Sequence, residues 1–136
     1  MTTIVVGYVP KAEGHAALRR AAEEARLRGA RLVVINSARG GRDFDAEDAV
    51  RSDAELDAVR EELADAGVEA EVRQLVRGMD VADDLIAVAE ETSADFIVIG
   101  LRRRTPVGKL ILGSNAQRIL LDAPCPVLAV KAEASD

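Results

Sequence analysis

The chain has 136 residues, with 18 Lys+Arg, 24 Asp+Glu and one His, for a formal charge of −6. An apolar fraction of 49% supplies a core for one ordinary domain over residues 1–136, and 2% aromatic residues with no Trp make that core aliphatic. So few rings exclude a stacking platform for single-stranded nucleic acid, the acidity argues against a duplex binder held by phosphate contacts, and no apolar run approaches the roughly 20 residues needed to span a bilayer.

The stretch Met1-Thr2-Thr3-Ile4-Val5-Val6-Gly7 carries neither a basic leader nor a long apolar run, so it is expected to be a strand and not a secretory signal. A first strand is predicted over Thr3 to Val9 and a helix over 12–29, closed by Gly29. A second strand over Leu32 to Ser37 leads into a helix over 47–66, where Leu56, Val59, Leu63 and Ala66 recur at steps of three and four before Gly67. The third strand is expected over Val68 to Val76. Its helix, 80–93, has Asp80 as the cap and Asp83 and Asp84 in the first turn, where carboxylates oppose the helix dipole. A fourth strand over Asp95 to Ile99 precedes a helix over 114–122, for which Ser114 with Gln117 forms a capping-box pattern. Pro126 to Lys131 is the fifth strand. The lone Cys125, between two prolines, cannot make an internal disulfide; it reads as a packed structural thiol in a reducing cytoplasm. His15, without an acid or nucleophile at a telling spacing, reads as an ordinary helix residue.

Strands alternate with helices, and Ile4-Val5-Val6 and Phe96-Ile97-Val98-Ile99 are apolar on both faces. The expected fold is therefore an α/β, doubly wound, five-stranded parallel sheet with helices on both faces and strand order 3-2-1-4-5. Ligands of such sheets sit beyond the carboxyl ends of the strands where the order reverses. That places a crevice between strands 1 and 4, with walls from residues 8 to 14, including Tyr8, Val9 and Pro10, and from 100 to 115.

Charge is partitioned along the chain. Residues 43 to 71 hold 12 acidic groups against Arg51 and Arg60, the pattern of a solvated helix face. From Phe96 to Leu121 there is no acid, while Arg102, Arg103, Arg104, Lys109 and Arg118 are basic. A basic island on an acidic chain suits a small anion, because the local field outweighs net charge. It falls on a connection longer than βα loops usually are, and such loops are mostly functional. Gly100 and Gly113 bracket it and let backbone amides approach a ligand, while the start of the following helix favours phosphate. Gly108-Lys109 is not a Walker A loop, since Arg103 replaces the first Gly and Leu110 the metal-binding hydroxyl. A G-x-G-x-x-G fingerprint after strand 1, paired thiols and a His cluster are all absent from the sequence.

Gly100, Arg103, the nine residues 104 to 112 and Gly113-Ser114 match, with one Gly replaced, a G-x2-G-x9-G-(S/T) pattern. In this loop, and in Ala123-Pro124-Cys125-Pro126-Val127-Leu128 entering strand 5, the chain resembles the universal stress protein family over essentially its whole length. The resemblance implies an adenine nucleotide as regulatory ligand, ATP first and AMP or ADP as alternatives, with or without magnesium. It implies Gly100, Gly113, Ser114 and Asn115 at the phosphates and the backbone near Ser37 at the base. Val9 or Pro10 stands where nucleotide-binding relatives usually carry an acid. Arg103 either obstructs the phosphate track or, with Arg102 beside it, supplies charge-assisted contacts, and the second reading is favoured. The family likeness further implies a homodimer covering the unprotected edge of strand 5. No general base is placed for efficient hydrolysis, so any ATPase activity is expected to be slow. The alternative is a non-nucleotide-binding homodimeric interaction module of the same fold.

Overall fold

The computed structural model describes residues 2–9, 11–38, 46–76, 80–101 and 113–132. The elements run β1 (Thr3–Gly7), α1 (Ala12–Arg28), β2 (Arg31–Ala38), α2 (Ala46–Asp65), β3 (Ala70–Val76), α3 (Val81–Thr92), β4 (Phe96–Leu101), α4 (Ser114–Asp122) and β5 (Val127–Lys131). All strand pairs are parallel, and the sheet order is β3-β2-β1-β4-β5. The expected architecture and strand order are thus observed.

Alternation along β1 explains why both faces of the sheet must be covered. Ile4, Val6 and Tyr8 point into one core with Leu32, Val34 and Val98, under Leu18, Ala21 and Ala25 of α1 and Leu56, Val59 and Leu63 of α2. Val5 points the other way, into a core with Val33, Ile35, Ile97 and Ile99, under Leu85, Val88 and Ala89 of α3 and Ile119 of α4. β1 is accordingly buried on both sides, and nearly all of its burial is aliphatic. Its start is pinned to β4 by a reciprocal pair: the Thr3 amide donates to the Asp95 carboxylate at 2.8 Å, and the Asp95 amide donates to the Thr3 carbonyl at 2.8 Å.

Gly29 ends α1 in the left-handed region at φ 60°, as its position in the sequence suggested. Ser93 takes the same role for α3 at φ 52° without being glycine. Strand boundaries shift from expectation by one or two residues, and two of the shifts lie beside the crevice. β1 stops at Gly7, although the Tyr8 amide still donates to the Ile35 carbonyl at 2.9 Å, because the chain turns at once into α1. β4 runs past Ile99 to Leu101, since β5 offers Val130 and Lys131 as partners for Gly100 and Leu101.

The turn from β1 into α1 is tight. The Lys11 amide donates to the Val9 carbonyl at 2.8 Å, and a Cβ built on Gly14 collides with that same carbonyl. Ala is a better helix former than Gly by about 1 kcal/mol, whereas forcing a methyl into a filled site costs about 1–3 kcal/mol or more. Gly14→Ala is therefore expected to lower stability by about 2 kcal/mol in urea unfolding; an increase would show that the turn has room.

Candidate functional site

A crevice of about 320 Å³ opens at the carboxyl ends of β1 and β4, where the strand order reverses. Its edges are the backbone of Gly7, Tyr8 and Val9 and the first turn of α1, with Lys11, Glu13 and Gly14. Its apolar side is built by Ile35, Val81, Leu85, Ile99 and Ile119, and Gly100, Asn115 and Ala116 complete it. Polar and apolar groups thus share the lining, the combination that small-molecule sites use for orientation and burial.

Three helices begin here. The caps of α1, α3 and α4 are Lys11, Asp80 and Gly113, and none of these ends receives a side-chain capping hydrogen bond. Each of these starts, the positive end of its helix dipole, lacks a side-chain acceptor at the cap, and residues of all three first turns line the crevice. The expectation that Ser114 caps α4 is corrected. Gly113 is the cap, its carbonyl accepting from the Gln117 amide at 3.0 Å, and Ser114 is the first helical residue with an exposed side chain. Asp80 does occupy the cap position of α3, but its carboxylate faces Arg118 at 3.7 Å.

The sequence-derived site residues are distributed as follows. Tyr8, Val9, Gly100 and Asn115 line the crevice; Gly113 and Ser114, the cap and first residue of α4, precede Asn115 in the chain and are not among its lining residues. Ser37 is paired with Leu75 of β3, two residues beyond Ile35, which lines the crevice. Pro10, Arg102 and Arg103 lie outside the described residues, as do Arg104 and Lys109. Gly100 stands inside β4, and a Cβ there collides with the Glu13 carbonyl of α1. Its lack of a side chain is thus required by helix packing, independently of any ligand. Val81 and Leu85, four apart at the start of α3, were missed, because only the strand order brings that helix to the crevice.

Tyr8 presents its backbone to the crevice, while its ring is buried in the α1–α2 core at 3% exposure. The ring meets that of His15 edge-on, with centroids 5.5 Å apart. Burial, then the charges of Glu55 and Glu62, push the Tyr8 phenol above its ordinary value of 10.0. His15 itself is exposed, as an ordinary helix residue would be. Cys125 is half-buried and unbridged, and burial, with Asp95 adding to it, raises its thiol above 9.0. This is the setting of an unreactive packed thiol. Among the described residues, no group of three His, Cys, Asp or Glu is placed to hold a metal ion, and no helix is long and apolar enough to cross a membrane.

The profile of the universal stress protein family matches residues 1–131. A universal stress protein of Mycolicibacterium smegmatis is 48% identical over 128 residues, covering 94% of this chain and 96% of its own. The solved structure of a universal stress protein from Archaeoglobus fulgidus superposes with a TM-score of 0.82 at 41% identity, over 96% of this chain and 99% of that one. A second structure from the same organism, in complex with dAMP, superposes with a TM-score of 0.77 at 36% identity, over 96% and 98%.

A raised phenol makes the folded state the tighter proton holder above pH 10, so its share of stability is complete below that pH and is lost as pH rises through the folded value. Tyr8→Phe is expected to flatten this alkaline loss in urea unfolding from pH 9 to 12, and spectrophotometric titration of the phenol in the native chain should give a midpoint above 10.0.

Proposed function

The chain belongs to the universal stress protein family, and on that premise we propose that it binds an adenine nucleotide, ATP first among them, as a regulatory ligand in the crevice between β1 and β4. The carrying observation is the convergence of three uncapped helix starts on one crevice with an apolar side. Helix starts suit phosphate oxygens, and the Ile35, Val81, Leu85, Ile99 and Ile119 side chains suit a flat apolar base. The relative from Archaeoglobus fulgidus in complex with dAMP supports an adenine nucleotide in particular.

In this reading Gly113, Ser114 and Asn115 hold the phosphates through the opening amides of α4, and the backbone of Tyr8, Val9 and Pro10 with that near Ser37 borders the nucleoside. Gly100 lies under the phosphate track. Arg102 and Arg103 add charge-assisted contacts in place of the missing glycine. Magnesium, where present, is carried by the phosphates. Any hydrolysis is slow in this reading, and the nucleotide acts by occupancy.

The outer edge of β5, with Ala129 and Lys131 exposed, is the surface for a second copy, giving a homodimer. The half-buried free thiol of Cys125 suits a reducing cytoplasm. A second reading, a dimeric interaction module without nucleotide, is favoured by Val9 or Pro10 standing where the family's nucleotide binders usually carry an acid.

Thermal unfolding of the purified chain separates the two. Ligand at 100 times Kd contributes about 2.7 kcal/mol, which for a domain of this size raises Tm by roughly ten degrees. ATP at millimolar concentration is expected to give such a shift and Arg103→Ala to diminish it. No shift leaves the interaction module, and a larger shift in Arg103→Ala marks that side chain as an obstruction.

A further inference from the structure

Arg118 was counted among the basic residues of an acid-free segment, yet the fold surrounds it with acids. Its guanidinium meets Asp83 through Nη2, lies 3.7 Å from Asp80 through Nη1, and 3.7 Å from Asp122 through Nε. Asp80 and Asp83 come from the first turn of α3, so the contact joins α3 to α4 across the seam between them. None of the four lines the crevice, but Asp80 and Arg118 are next in the chain to residues that do, Val81 and Ile119.

Carboxylates at the start of α3 are stabilised by its dipole, and they compete for the same positive helix end that an anionic ligand would use. Three carboxylates beside a phosphate site would repel the ligand unless something compensates them. All four side chains are partly exposed, so the pairs contribute little to stability on their own. Their consequence lies in the field at the crevice.

We propose that Arg118 is a positioning residue for anionic ligands: it offsets part of the charge of Asp80, Asp83 and Asp122 around the α3–α4 seam and thereby keeps the phosphate end of the crevice open to negative charge. The inference rests on the nucleotide reading above and adds to it a determinant of how many phosphates the crevice accepts. Arg118 acts through the acids and touches no ligand.

Isothermal titration of the full chain with adenosine, AMP and magnesium-free ATP tests this, because a charge effect grows with ligand charge and a loosened seam does not. At low ionic strength Arg118→Ala is expected to weaken binding by about twofold per unit of ligand charge. That is about fourfold for AMP and about tenfold or more for ATP, with adenosine unchanged and both losses shrinking as salt is raised. Arg118→Lys should keep ATP binding near that of the wild type, and Asp83→Asn in the Arg118→Ala background should restore part of it. Asp83→Asn alone, which retains the guanidinium, should tighten ATP more than AMP and keeps the test decisive if Arg118→Ala does not fold. Equal weakening of all three ligands, or none, overturns the inference while leaving the nucleotide reading intact. A wild-type chain that takes up none of the three overturns that reading and this inference with it.

Discussion

The crevice depends on how closely the first turn of α1 lies against the ends of β1 and β4. Gly14 sits against the Val9 carbonyl and Gly100 against the Glu13 carbonyl, each with no space for a Cβ. These two contacts hold the start of α1 on one side of the β1–β4 boundary, while α3 and α4 cover the sheet from the other side. The gap left at the top of the sheet is therefore bounded on the α1 side by packed backbone. A ligand bound there, as proposed, would meet that wall already ordered, at little ordering cost.

The same geometry explains how an acidic chain can present a positive interior edge. The favourable field at the crevice comes from helix starts, which carry partial charge independent of the net count. Side chains then modulate it from the flanks: Lys11 and Glu13 from α1, and the Arg118 group with its three carboxylates from α3 and α4. Exposed acids of α2 such as Asp57, Glu61 and Asp65 lie on the outside of the opposite core, where water screens them. Net charge thus describes the solvent-facing shell, and the crevice is governed by the backbone.

Much of this was legible in the sequence because it depends on local periodicity. Ile4-Val5-Val6 and Phe96-Ile97-Val98-Ile99 read as strands buried on both faces, and the steps of three and four from Leu56 to Leu63 read as a helix on a core; both are observed. The order 3-2-1-4-5 puts strand 1 at the centre, and the crevice position follows from that order. What was not legible depends on contacts between distant segments. The capping-box spelling at Ser114 is locally sound, but the chain enters α4 one residue earlier and Gly113 becomes the cap. Gly100 spells a loop boundary, yet pairing with Val130 of β5 keeps it in β4. Arg118 looked like unopposed charge because its acids lie 35 or more residues away along the chain, on α3, or one turn further along its own helix in Asp122. The residues from 102 to 112, which carry the most specific spelling of all, lie outside the described structure.

Tyr8 is the one tyrosine of a chain that contains no tryptophan. Its backbone forms an edge of the crevice, and its ring is sealed into the core beneath α1 and α2, against His15. The molecule consequently carries a single dominant intrinsic fluorophore, with no indole to drain its emission. That emission therefore reports the packing of one core, at the residue where this core meets the crevice, and not an average over the fold.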